Sequence, residues 1–169
     1  MKKRLYIAYG SNLNLPQMSY RCPTAKIEGP TEIKGYELLF RGREGCGFAT
    51  IEPKEDGSVP ALVWSIEKGD EQALDRYEGW PRFYGKKMLD VEVGGKMVSA
   101  MVYIMNDGPQ AAFPRENYFQ CVLEGYQEAG FDKSALKEAA ARTSELMIEQ
   151  MEVKFSQENK SPQMNAPGY

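Results

Sequence analysis

The sequence predicts an α+β fold, a small mixed or antiparallel β-barrel flanked by helices in a single domain. Three observations predict it. Short strand-like runs fill most of the chain up to about residue 105, and helical periodicity takes over beyond Pro109, the segregated order of an α+β protein. Gly94-Gly95 separates two strand-like runs, a strong hairpin signal. No alternating strand–helix units carry a G-x-G-x-x-G fingerprint, which argues against a dinucleotide-binding sheet. The 169 residues suffice for one sizeable core, since a domain of this size buries roughly 70% of its unfolded surface.

Residues 4–9 form an apolar and aromatic run that stops at Gly10, a buried strand feeding a turn. Asn14 followed by Leu15-Pro16 reads as a capped helix start, and Cys22-Pro23 closes that helix. Strands are expected over 25–27, 36–41, 47–53 and 61–66, separated by Gly29-Pro30, by 42–45 and by Asp56-Gly57. A short helix over 69–77 ends at Gly79 and Pro81. Strands over 84–93 and 96–105 follow. Phe119, Val122, Leu123 and Tyr126 keep i, i+3, i+4, i+7 spacing before Gly130, so a helix starts near Pro114. A last helix over 132–150 presents Leu136, Ala139, Ala140, Thr143 and Met147 on one face. The domain thus spans 1–152, and 153–169 is a polar C-terminal tail, without periodicity from Lys154 onward.

Composition removes whole classes of chemistry. The chain has no histidine, so Ser-His-Asp and Cys-His catalysis and histidine-ligated zinc are excluded. Cys22, Cys46 and Cys121 are too few for an all-thiolate metal site, and their scatter reads as reduced, buried thiols. A net charge of −3 favours neither nucleic acid nor an anionic membrane as partner. The opening apolar run is too short for a secretory signal, and no segment reaches the ~20 apolar residues of a membrane span. A soluble, cytoplasmic protein is expected.

Two stretches can carry chemistry. Tyr9-Gly10-Ser11-Asn12-Leu13 joins a strand to a helix, where successive backbone N–H groups can hold a carboxylate. The same residues also serve an ordinary strand-ending turn. Further on, Leu74-Asp75-Arg76-Tyr77-Glu78-Gly79-Trp80 ends a helix. A carboxylate there meets the negative end of the helix dipole and aromatic neighbours, both of which raise its pKa toward that of a general base. A solvated Glu beside a helix-capping Gly is the plain alternative. The charge runs 2–4, 52–56 and Lys86-Lys87 read as solvated surface.

Together, in this order, the two stretches resemble the γ-glutamylcyclotransferase family. Gly47-Phe48-Ala49-Thr50-Ile51 and Leu62-Val63-Trp64 look like the strand pair between its motifs, and the resemblance covers about residues 4–128. The Asn12-Leu13 ending differs from the Tyr-Gly-Thr-Leu of amine-directed relatives and the Tyr-Gly-Ser-Leu of the glutathione-degrading branch. The resemblance implies a cofactor-independent enzyme that releases 5-oxoproline from a γ-glutamyl compound. In it Tyr9, Gly10, Ser11, Asn12 and Leu13 would hold the γ-glutamyl moiety, Glu78 would be the catalytic acid/base, and Tyr84 and Tyr118 would be pocket tyrosines. Arg115 stands where a small Ser is common. Trp80 and Arg82 are candidates for the side of the expelled group, and a homodimer is possible. A tethered amine nucleophile suits a chain without histidine. The alternative is a non-catalytic small-acid binding or interaction module on the same fold.

Overall fold

A computed structural model describes residues 3–160. Six strands form one sheet in the order β4-β5-β1-β3-β2-β6. The run β1 (Arg4–Ala8) pairs antiparallel with β3 (Cys46–Ile66) and, at Tyr6, parallel with β5 (Lys96–Met105). The other strand pairs are antiparallel: β2 (Lys26–Arg43) with β3 and with β6 (Gln110–Ala111), and β4 (Tyr84–Val93) with β5, while an isolated parallel bridge joins Gly47 to Pro114. The sheet curls into a half-barrel that brings the far edge strand back to β2, where Thr31 Oγ1 donates to the Glu92 carbonyl at 2.7 Å. Ile7, Ala8, Val63, Met101 and Val102 are all buried, because β1 runs between two strands and has helices beyond, so its sequence is nearly continuously apolar.

The hairpin over 84–93 and 96–105 forms as predicted. The four short strands expected between residues 25 and 66 instead merge into β2 and β3, two long strands paired from Lys26–Ser65 to Arg43–Cys46. Gly29-Pro30, expected to separate two strands, and Gly35 sit at register shifts between Ile27 and Gly29 and between Lys34 and Tyr36. Gly35 adopts φ 79°, so the chain absorbs an extra residue as a bulge and bends without leaving the sheet.

Among the described residues, four α-helices flank the sheet. In α1 (Leu15–Arg21), the Asn14 side chain caps the start by accepting from Gln17 N. In α2 (Lys68–Glu78), Glu67 and Asp70 form a reciprocal capping box, and Gly79 at φ 66° ends the helix in the left-handed conformation a side chain disfavours. α3 (Glu116–Ala129) closes at Gly130. α4 (Ser134–Lys160) packs Leu136, Ala139 and Thr143 inward, and Thr143 Oγ1 accepts from Phe40 N at 3.1 Å. This last helix runs ten residues past Gln150, through the stretch where an aperiodic tail is expected. Good helix formers such as Lys, Gln and Glu extend a helix already nucleated by packing, with no apolar face required. The boundary drawn at 152/153 therefore falls inside α4, and residues 161–169 of that tail lie outside the described residues.

Candidate active site

The end of β1 and the end of α2 converge. After Ala8 the chain leaves the sheet through Tyr9 and Gly10 into a 3-10 turn, Ser11–Leu13. Its first amides have no partner within the turn. Across from it, α2 is moored to the sheet along its length. Arg4 Nη1 and Lys86 Nζ reach Glu71 Oε1 at 2.5 and 2.9 Å. Lys86 also meets Asp75 at 2.8 Å, and the Tyr103 hydroxyl donates to Asp75 Oδ1 at 2.5 Å. These ties deliver Glu78, the last residue of α2, to the mouth of the half-barrel. Lys86 is thus an anchor rather than the solvated surface the sequence implies.

Glu78 shares one cavity of about 20 Å³ with Tyr9, Gly10, Ser11, Asn12, Tyr84 and Tyr118, room for about one water. Tyr6, Ile7, Ala49 and Tyr103 complete its wall. Asn12 Nδ2 stands 3.5 Å from Glu78 Oε1 and 2.9 Å from Tyr6 Oη. Glu78 is partly buried. Desolvation raises its pKa from the usual 4.5 to about 7, against a smaller downward pull from the Arg21 cation. A carboxyl at that value is poised to take and return protons near neutral pH.

The surrounding phenols have defined hydrogen-bond roles. Tyr84 donates to the Ala49 carbonyl at 2.6 Å, and Tyr9 donates to the Tyr103 carbonyl at 2.6 Å. Both therefore offer only lone pairs to the cavity. Tyr118 accepts from the Ala49 N–H at 3.1 Å, and Tyr6 accepts from Asn12, so each keeps its own hydrogen to donate. Burial pushes all four pKa values up, which keeps these phenols protonated. Gly10 has no side chain for a spatial reason. A Cβ there would sit 3.1 Å from Ala49 Cβ and 3.6 Å from Tyr118 Oη.

Leu13 does not line the cavity. It is fully buried under α3, where a Cβ on Gly125 would come within 2.6 Å of Leu13 Cβ, so its role is to seat the turn. Trp80 and Arg82 are exposed and line neither this cavity nor the one beside it. Trp80 instead lies against Lys86, with Nζ 4.0 Å from the ring centroid.

The neighbouring cavity, of about 260 Å³, shares Ser11 and Tyr118 with the first and adds Gln17, Phe48, Tyr77 and Arg115 to its wall. A hydrogen bond of 2.8 Å between Ser11 Oγ and Tyr77 Oη marks the shared edge. Elsewhere, an open groove of about 840 Å³ runs between β2, β4 and the start of α4, and neither Glu78 nor the Tyr9–Leu13 turn lies on its wall. Among the described residues, no three carboxylate, thiol or imidazole groups are arranged to hold a metal ion, and no helix is long and apolar enough to cross a membrane.

Sequence reasoning missed Tyr6, Ala49, Tyr77, Tyr103 and Arg21. Alternation along Gly47-Phe48-Ala49-Thr50 could have turned Ala49 inward. Arg21 reads as a cation favourably placed at a helix C-terminus, and nothing local shows that it reaches Asn12.

Comparison with known proteins identifies the family and the fold. A family model described as "Gamma-glutamyl cyclotransferase, AIG2-like" matches residues 6–120. The gamma-glutamylcyclotransferase of Homo sapiens is 28% identical over 136 residues, covering 75% of this chain and 71% of that protein. The gamma-glutamylcyclotransferase of Mus musculus is 27% identical over 136 residues, with the same coverage of each chain. A solved gamma-glutamyl cyclotransferase superposes with a TM-score of 0.69 at 24% identity, covering 83% of this chain and 88% of that one. YkqA from Bacillus subtilis gives 0.72 at 18% identity, covering 86% of this chain and 56% of that one. Both structures share the fold. The chain belongs to the γ-glutamyl cyclotransferase, AIG2-like family.

Proposed function

We propose that this chain, as a member of the γ-glutamyl cyclotransferase family, releases 5-oxoproline from a γ-glutamyl compound, with Glu78 as the acid/base. The observation that carries the reading is a partly buried carboxyl, raised to about 7, in one cavity with the Gly10–Asn12 turn.

The reaction is intramolecular. The substrate's α-amine attacks its own γ-carbonyl carbon, a C–N bond closes the five-membered ring, and the original γ-amide C–N bond breaks. Because nucleophile and electrophile are tethered, the protein has to hold a folded conformer and move protons. The amine arrives as an ammonium with a pKa near ~8, and against an ordinary Glu near ~4.3 proton transfer is uphill by roughly 5 kcal/mol. With Glu78 at about 7, the gap shrinks to about one pH unit, or roughly 1.4 kcal/mol.

Glu78 first takes a proton from the ammonium, and the freed amine attacks. Glu78 hands that proton to the leaving nitrogen as the amide bond breaks. It then takes the ring nitrogen's surplus proton and passes it to the departing amine. Two protons move from the attacking to the leaving nitrogen, and Glu78 ends ionised as it began. The tetrahedral oxyanion needs donors, and the free hydrogens of Tyr118 and Tyr6 and the first amides of the 3-10 turn are at hand. Tyr9, Ser11 and Asn12 supply polar contacts for the α-amino and α-carboxylate groups, and Tyr84 holds the Ala49 peptide in place. The first cavity has room for one reacting group only, so the rest of the substrate, the expelled group included, lies in the adjoining 260 Å³ cavity that shares Ser11 and Tyr118 with it.

The test is to incubate the protein with a panel of γ-glutamyl dipeptides and γ-glutamylamines and to measure 5-oxoproline. The expected result is turnover of at least one substrate by the wild type, with kcat lowered about 10²–10⁴-fold in Glu78→Gln. Activity within a few-fold of wild type in that variant removes Glu78 from the mechanism. Saturable binding of these compounds with no 5-oxoproline leaves a binding module instead.

A further inference from the structure

Asn12 is the residue of the turn whose side chain donates to Glu78, and what orients its amide is not in the turn. Its Oδ1 accepts a hydrogen bond from Arg21 Nη1, and its Nδ2 is thereby directed at Tyr6 Oη and Glu78 Oε1. A guanidinium has donors and no acceptor. An amide facing it must therefore present oxygen, and the NH2 group is left to face the acid. Flipped over, Asn12 would set its NH2 against a cation and its oxygen against a carboxylate.

The same guanidinium does two more things. Its Nη2 donates to Gln17 Oε1 at 3.0 Å, which ties it to its own helix. Its carbon lies 3.4 Å from the centroid of the Tyr77 ring, a stacked cation–π contact. The hydroxyl of that ring is the one bonded to Ser11 at the edge between the two cavities. Among the described residues Arg21 forms no direct ion pair, whereas Arg4, Arg41 and Arg142 each pair with a glutamate. Its charge stays directed at the site. The titratable side chains around Glu78 from other elements are phenols: Tyr6 and Tyr9 from the first strand and its exit, Tyr84 from β4, Tyr103 from β5 and Tyr118 from α3. All are kept neutral by burial. Arg21 is the charged group that acts on Glu78.

We propose that Arg21 is the positioning residue of this site: it locks the Asn12 amide with its donors toward Glu78 and clamps Tyr77 against Ser11, without touching substrate itself. This role rests on the cyclotransferase reading for its catalytic consequence but not for its physical one. Lysine keeps the charge but loses the planar stack and the fork. Glutamine loses the charge as well.

The test follows Glu78 directly, by 13C NMR titration of side-chain carboxyl-labelled glutamate, with Glu78→Gln used to assign the signal. Alongside it, kcat and KM are measured against pH. In Arg21→Gln the Glu78 midpoint is expected to move up by about one pH unit, and the ascending limb of kcat/KM moves with it. In Arg21→Lys the midpoint stays near wild type while kcat still falls about 10-fold or more, because the amide and the ring are no longer held. An unchanged midpoint in Arg21→Gln overturns the proposal. If that variant does not fold, Arg21→Lys decides, and wild-type kcat there overturns it equally. A midpoint that shifts as expected in a protein that makes no 5-oxoproline refutes the cyclotransferase reading and leaves Arg21's hold on Glu78 standing.

Discussion

Replacing Glu78 by glutamine tests the burial argument without any substrate. In the fold the carboxyl titrates at about 7, against 4.5 for an unburied group. Between those values the folded state holds more protons than the unfolded one, so stability falls as pH rises through the window. At about 1.36 kcal/mol per pH unit the full difference is roughly 3 kcal/mol. Glu78 is only partly buried, and screening by water trims the expected penalty to about 1–3 kcal/mol. Glutamine keeps the shape and does not titrate. The Glu78→Gln protein is therefore expected to gain on the wild type progressively from pH 4.5 to pH 7.5 and to hold that gain above it. A domain of this size moves by roughly 2–4 °C per kcal/mol, so the difference in Tm between the two proteins should widen by roughly 2–12 °C across that range. Paired thermal melts at half-unit pH steps read it, and other titrating groups cancel in the difference. A gap that stays constant with pH, or narrows, would show that Glu78 is not desolvated and would refute the basis of its proposed role as acid/base.

Three further substitutions probe the walls. Gly125→Ala puts a Cβ 2.6 Å from Leu13 Cβ and 2.9 Å from Asn14 N, and the backbone turn must yield. A loss of about 1–3 kcal/mol in urea melts is expected, with lower kcat because the turn that carries Asn12 is displaced. Gly10→Val crowds Ala49 and the Tyr118 hydroxyl and is expected to raise KM for a γ-glutamyl substrate at least about 10-fold. Wild-type KM there would put the cradle elsewhere. Arg115 is an exposed cation on the wall of the second cavity, which no carboxylate lines. Arg115→Ala is expected to raise KM by about 2–5-fold for substrates whose expelled group carries a carboxylate, and to leave γ-glutamylamines unaffected. Equal effects on both classes would separate Arg115 from recognition.

Local pattern made some elements legible and hid others. The hairpin around Gly94-Gly95 and the end of α2 at Gly79 depend on backbone conformations that the sequence names outright. The bulged strands did not read as such, because glycine marks a loop and a bulge alike, and only pairing to a partner strand tells them apart. The end of α4 was hidden for a related reason. A helix already held by Leu136, Ala139 and Thr143 continues through residues that show no apolar periodicity.

The amino-acid order by itself determined the chemistry available to this protein: no imidazole, a turn rich in small polar residues, and an acid at the end of a short helix. The fold alone decided which of these meet. Leu13 belongs to the same pentapeptide as Ser11 and Asn12, yet it was sent into the core by the close approach of α3 at Gly125. Arg21 was brought onto Asn12 and Tyr77, side chains that lie nine and fifty-six positions away in the chain. Desolvation and Coulomb forces depend on distance in space, so the proton affinity of Glu78 could not be read along the chain. It exists only once the half-barrel has closed around it.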